Sequence, residues 1–252
     1  MTDHPIDQST NNPVIRFENI SKSYNLQKHR TFKEFLPALF SGGQTVVHFN
    51  ALNHVNFEIQ KGDSLGIMGR NGSGKSTLLK LIAGVTNPSD GRITVKGRVA
   101  PLIELGAGFH PELTGRENVY LNGSILGIKK KDMEKMYQSI VEFSELREFM
   151  DQPIKFYSSG MYMRLAFAVA VAETPDILLV DEILAVGDIK FQKKCLDRMH
   201  QFQQKGSTMV MVSHHPQQIE QYCNKGLILD KGKIIYFGEI KGALQKYTAL
   251  LQ

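Results

Sequence analysis

A chain of 252 residues, 42% apolar and 22% charged, has ordinary globular composition and room for one large domain or one domain with an insertion. The net charge of +5 and the pI near 9.1 suit a nucleic acid, an anionic membrane surface or a nucleotide equally, so charge excludes none of these partners. The longest apolar run, Leu165 to Ala172, falls far short of the roughly 18 residues that a membrane span needs, which excludes an integral membrane subunit of the helical kind.

Residues 1–13 are rich in Asp, Asn, Ser, Thr and Pro and predict a disordered tail. With no basic n-region and no apolar h-region there, the expectation is a cytoplasmic chain without leader or anchor. Strands are predicted at Val14–Phe17 and Val55–Ile59, the second ending at the turn Lys61-Gly62-Asp63. Between them Phe32, Phe35, Leu36, Leu39 and Phe40 recur at helical spacing, with Lys28, His29, Arg30 and Lys33 on the N-terminal side and Pro37 as a kink. A short apolar strand, Ser64–Met68, runs into a glycine-rich turn and a helix over Gly74–Ala83 stopped by Gly84. Asn87–Gly91 is turn chemistry leading to a β-segment at Arg92–Val95.

From about Leu113 to Val171 the pattern is helical. Strands return at Ile177–Val180 and Thr208–Val212, flanking an amphipathic helix over Ile189–Lys205 closed by Gly206. A final hairpin pairs Leu227–Leu229 with Ile234–Phe237 across Asp230-Lys231-Gly232-Lys233. Strands alternating with helices around one helical stretch predict an α/β sheet with an inserted helical subdomain. Cys195 and Cys223 share no CxxC spacing and read as reduced thiols rather than a disulfide or metal pair.

Gly69-Arg70-Asn71-Gly72-Ser73-Gly74-Lys75-Ser76, followed by Thr77, meets every fixed position of the phosphate-binding pattern G-x-x-x-x-G-K-[ST], and it lies between a strand and a helix as that pattern requires. The glycines let backbone N–H groups converge on phosphate oxygens, and the helix beginning at Gly74 adds its positive dipole end. Lys75 supplies a point charge for the β- and γ-phosphates, and the Ser76 hydroxyl is placed to ligate Mg²⁺. Alone, the motif says only that a nucleoside triphosphate binds. A second signal follows in Ile177-Leu178-Leu179-Val180-Asp181-Glu182, an apolar strand ending in two acids. Asp181 is the candidate for holding Mg²⁺ through water, and Glu182 the candidate general base for the attacking water.

Two further segments carry a family resemblance. Tyr157-Ser158-Ser159-Gly160-Met161, at the start of an apolar helix, resembles the L-S-G-G-Q signature of ABC ATPases in divergent form, with Ser159 in place of a glycine and Met161 in place of the glutamine. Val212-Ser213-His214 resembles the switch histidine segment, and Leu184-Ala185-Val186-Gly187-Asp188 the loop that crosses the dimer interface. The run from Glu104 to Asn118, taken with these, is similar to the ATPase subunits that export lipid-linked polysaccharides such as O-antigen, capsule and teichoic acid.

The resemblance implies an ABC ATPase domain over 14–252, with an antiparallel β-subdomain and a helical subdomain over about 112–172. It implies a homodimer that clamps two ATP molecules, Ser158, Ser159, Gly160 and Met161 completing the partner's site while His214 contacts the γ-phosphate. Glu104 stands where the family has a glutamine, and two readings remain for it: a Mg²⁺ ligand or a plain surface glutamate. Two readings also remain for Tyr24, a stack on adenine or structural packing. The implied cofactors are ATP and Mg²⁺. The implied partners are separate multi-spanning permease subunits and a lipid-linked polysaccharide, without nucleic acid, at the cytoplasmic face of the inner membrane. The stripe Phe32–Phe40 then either packs on the ATPase core or meets the membrane subunit or lipid carrier. Because the chain ends soon after the last hairpin, glycan recognition is expected in the membrane subunit or the lipid carrier. The alternative is a soluble ABC ATPase acting on nucleic acid or ribosomes, which copurification with a permease would separate from an exporter.

Overall fold

The computed structural model describes residues 13–26, 47–103, 105–181, 187–213 and 215–251. The predicted stripe Phe32–Phe40, Glu104, Glu182 and His214 lie outside the described residues.

Two long strands, β1 (Ile15–Leu26) and β2 (Val47–Ile59), pair antiparallel, and β4 (Asp90–Val95) pairs with the other edge of β1, giving a three-stranded sheet in the order β2-β1-β4. The second sheet has the order β5-β6-β7-β3-β8-β9, from β3 (Ser64–Met68), β5 (Val99–Pro101), β6 (Ile177–Asp181), β7 (Thr208–Val212), β8 (Lys225–Asp230) and β9 (Lys233–Glu239). Its first five strands run parallel, and β9 is antiparallel to β8. Strands β3 and β7 are buried along their whole length, as expected of parallel strands covered on both faces.

The helices are α1 (Lys75–Ile82), α2 (Gly115–Ile125), α3 (Lys130–Ser144), α4 (Ser159–Ala170), α5 (Ile189–Gln204), α6 (Pro216–Tyr222) and α7 (Ile240–Leu251). On one face of the six-stranded sheet, Leu78, Leu79 and Ile82 of α1 meet Ile15, Phe17 and Val55 of the antiparallel sheet, with Leu65 and Ile67 of β3 beneath them. On the other face, Phe167 of α4 packs with Phe191, Met199 and Phe202 of α5 and with Ile219 of α6 against Leu178, Val180 and Met211. The helices between 115 and 170 close on a third cluster that includes Val119, Met133, Ile140 and Leu165.

The predicted helical stretch is broken into three helices and two short 3-10 turns. Helix α2 begins in a reciprocal cap: Thr114 Oγ1 accepts from the Glu117 amide, and Glu117 Oε2 accepts from the Thr114 amide. Strand β5 and helices α6 and α7 carry no segment of the sequence reading. β5 is three residues long, too short for periodicity to register, and α7 follows β9 with no intervening turn signal.

Candidate active site

The C-terminal ends of neighbouring parallel strands build the site. Asp181 is in register with Val212 on β7, and Val212 with Ile67 on β3, so the end of β6 and the glycine-rich turn after Met68 face the same edge of the sheet. There a cleft of about 420 Å³ is lined by Asn71, Gly72, Gly74, Lys75, Ser76 and Thr77 together with Asp181. Residues separated by more than a hundred positions in the chain thus come together.

The loop conformation explains the glycines. Gly74, the N-cap of α1, sits at φ 110, and a side chain there would lie 2.5 Å from the Ala51 carbonyl oxygen. Gly69 sits at φ 154, and a Cβ there would strike the Leu229 carbonyl oxygen. The loop is braced from behind by the β8–β9 turn, where the Gly232 amide donates to the Ser73 carbonyl at 3.0 Å and the Asn53 amide donates to the Gly232 carbonyl at 2.8 Å. Lys75 is 8% exposed, and its Nζ donates to the carbonyls of Gly69 (2.7 Å) and Arg70 (3.1 Å), which aims the ammonium across the mouth of the loop. Ser73 is buried, and its Oγ has no hydrogen-bond partner among the described residues. A buried hydroxyl left in that state costs free energy that a phosphate oxygen in the loop would recover.

Magnesium fits this donor set. Ser76 and Asp181 line one cleft and offer a hydroxyl and a carboxylate, hard oxygens of the kind Mg²⁺ takes when phosphates and water complete its shell. No cluster of three His, Cys, Asp or Glu side chains occurs among the described residues, so a cage made of protein alone is not what these residues offer.

The signature segment forms a second capped helix N-terminus. Ser158 is the N-cap of α4, its Oγ accepting from the Met161 amide at 3.2 Å. Ser158, Ser159, Gly160 and Met161 open onto a separate cleft of about 610 Å³, which Arg164 and Asp188 also line. None of the four lines the cleft at Lys75. The preceding Tyr157 hydroxyl donates to the Phe149 carbonyl at 2.8 Å, and burial pushes its pKa up to about 12.

Tyr24 does not line the nucleotide cleft. It is 37% exposed on β1 with Lys22 Nζ 5.1 Å from its ring centre, while its cross-strand neighbour Phe49 on β2 does line the cleft. Sequence reading missed Phe49 because it stands at the far end of the insertion, and only strand register sets it beside the phosphate loop. It also missed Asn122 and Tyr162, which hold the segment after residue 104 by bonds of 2.8 Å to the Ala107 carbonyl and 2.9 Å to the Gly106 carbonyl.

A glycine-rich phosphate loop between β3 and α1, an acid at the end of β6, one strand removed from β3 across β7, and a helical insertion define a P-loop nucleoside triphosphatase. The family model for ABC transporters matches residues 52–185. The chain is 42% identical over 248 residues to the O-antigen export system ATP-binding protein RfbB of Klebsiella pneumoniae, covering 93% of this chain and 97% of that protein. It is also 42% identical over 241 residues to the teichoic acids export ATP-binding protein TagH of Bacillus anthracis, covering 96% of this chain and 43% of that one. Among solved structures, an ATP-binding subunit of an ABC transporter superposes with a TM-score of 0.74 at 21% identity, covering 94% of this chain and 99% of that chain. A dimeric ATP-binding cassette bound to ADP and Pi gives 0.70 at 22%, covering 90% and 98%. The chain belongs to the ABC transporter family and is one of its ATP-binding, ATP-hydrolysing subunits.

Proposed function

We propose that this ATPase drives export of a lipid-linked polysaccharide, of the O-antigen or teichoic acid class, across the inner membrane. In this reading two copies form a homodimer at the cytoplasmic face, joined to separate permease subunits. The observation that carries the reading is near full-length similarity to a subunit named for O-antigen export, together with similarity to one named for teichoic acid export.

The P-loop amides and Lys75 bind the β- and γ-phosphates, with Ser73 Oγ as a further donor, and Asn71, Gly72 and Thr77 line the same cleft. Ser76, Asp181 and Glu104 are the residues assigned to Mg²⁺. That ion, when bound, offsets charge on the β- and γ-phosphate oxygens. Glu182 takes the proton of the attacking water, and His214 steadies the γ-phosphate. Ser158, Ser159, Gly160 and Met161 act on the ATP of the second copy, which is why they open onto a cleft of their own rather than the one at Lys75. ATP binds the closed dimer more tightly than the open one, so binding shifts the population toward closure and hydrolysis releases it.

Replacing the cellular copy with Glu182→Gln tests the proposal. The expected result is retained ATP binding, lost hydrolysis and polymer that stays inside the cell on its carrier, whereas Lys75→Ala loses nucleotide binding itself. Surface polymer at the parental level in the Glu182→Gln cells would overturn the transport assignment.

A further inference from the structure

The chain holds two Asn-Gly pairs, Asn71-Gly72 in the phosphate loop and Asn122-Gly123 in α2. A backbone nitrogen can attack the side chain of the asparagine before it, and glycine puts no Cβ in the way. The fold treats the two pairs in opposite ways. Asn122 is 7% exposed, its Nδ2 donates to the Ala107 carbonyl at 2.8 Å, and both residues lie inside α2, whose hydrogen-bond ladder fixes the backbone. A Cβ at Gly123 would strike Met133 Cε, so this pair is also packed closely against α3.

Asn71 and Gly72 are both exposed. They are the central residues of a turn closed by the Ser73 amide, which donates to the Arg70 carbonyl at 3.1 Å. Gly72 holds φ 76, and a Cβ there would meet nothing within 4 Å. Among the described residues, no hydrogen bond engages the Gly72 amide or the Asn71 side chain. Lys75 Nζ lies against the Gly69 and Arg70 carbonyls, and α1 begins just beyond the turn with its positive dipole end. Both charges favour the anion that a backbone N–H becomes when it gives up its proton.

We propose that Asn71 is a self-modification site that bound nucleotide protects. When no nucleotide is bound, the deprotonated Gly72 nitrogen attacks Asn71 Cγ. The N–Cγ bond forms, the Cγ–Nδ2 bond breaks, and the side-chain nitrogen leaves as ammonia with the proton that the Gly72 amide gave up. Water then opens the cyclic imide at either carbonyl, leaving an aspartyl or an isoaspartyl residue at position 71. Either product sets a carboxylate in the cleft that Asn71 lines, and the isoaspartyl form adds a methylene to the backbone of the turn. Like charge and a reshaped loop both act against a polyphosphate there. Phosphates held by the loop amides engage the Gly72 N–H and fix the turn, so the filled site does not convert. The inference rests on the phosphate-binding reading of this loop.

The test ages the purified full chain at mildly alkaline pH and follows both Asn-Gly pairs by peptide mass mapping, with Mg²⁺ and a non-hydrolysable ATP analogue at graded concentrations. Without analogue, conversion at Asn71 is expected to run at least about tenfold faster than at Asn122, which reacts only after α2 opens. In denaturant the two rates converge. With analogue, the Asn71 rate follows the unoccupied fraction, falling to about a tenth at ten times the Kd. Capacity for ATP falls in step with conversion, whereas Asn71→Gln, whose longer side chain closes the ring far more slowly, keeps its own starting capacity over the same interval. Equal native rates at the two pairs, or an Asn71 rate that ignores bound analogue, would overturn the proposal. Isothermal titration of the fresh chain separates the two levels of inference: a chain that binds no nucleotide removes the phosphate-site reading, and Asn71 is then judged against Asn122 alone.

Discussion

Ser158 has two roles that a single substitution can pull apart. As the N-cap of α4 it satisfies the Met161 amide, and in the dimer proposed above it presents a hydroxyl to a terminal phosphate on the second copy. Ser158→Ala removes both, and loss of the cap costs about 1 kcal/mol. That lowers the melting temperature by about 2–4 °C in a chain of this size. Ser158→Asp keeps the cap, because aspartate accepts from the same amide and its charge gains about 0.3–1 kcal/mol at the positive helix terminus. The same carboxylate meets the terminal phosphate with like charge. At about 4 Å, repulsion per pair of unit charges runs from about 1 kcal/mol in water to about 4 kcal/mol at an effective dielectric of 20. With two charges on the phosphate, even the lower figure is about 2 kcal/mol, roughly a 30-fold loss per site. Thermal unfolding and steady-state ATPase rates measure the two roles side by side. The expected pattern is Ala less stable and impaired, Asp as stable as the parent and inactive. An Asp variant that hydrolyses ATP at the parental rate would refute the phosphate role, and one as unstable as Ala would refute the capping role.

Loss of an aromatic stack costs about 1–3 kcal/mol per base. Phe49 lines the cleft, so Phe49→Ser is expected to weaken ATP binding by about 5-fold or more by isothermal titration and Tyr24→Ser to leave it nearly unchanged; the reverse order would place the adenine contact at Tyr24, as the sequence reading has it. Burial pushes the Cys195 and Cys223 thiols up to about 12. Both should resist alkylation at pH 8 in the native protein and react fully in denaturant. A thiol whose pKa is raised by folding stabilises the fold below its unfolded pKa of about 8.5, and that contribution is lost as pH rises toward 12 at up to about 1.4 kcal/mol per pH unit per thiol. Stability measured by urea titration should therefore fall across this alkaline window and fall less in a Cys195→Ala chain; an equal slope in both would show that the thiol does not titrate.

The chemistry at the phosphate loop was legible from the sequence because its causes are local. Gly69, Gly72 and Gly74 mark positive-φ positions, Lys75 and Ser76 follow at fixed offsets, and an apolar run ends in Asp181, so the motif specifies its own backbone shape whatever surrounds it. The caps at Ser158 and Asp188 lie in segments that the reading had already marked, for the same reason. Strand order and register have no such local cause. β1 pairs with β2 from the far side of the insertion and shifts register around Asn19, held at φ 53, and these long-range pairings, absent from any local pattern, put Phe49 at the cleft directly opposite Tyr24. The ion pairs of Arg164 with Glu145 and Asp188 are nonlocal in the same sense. Glu145 meets Arg164 only when α3, α4 and α5 pack on their shared aromatic cluster of Phe143, Phe167 and Phe191. Local backbone preference is written residue by residue, whereas the partner of a strand edge or of a charged side chain is settled by the burial of apolar surface across the whole domain.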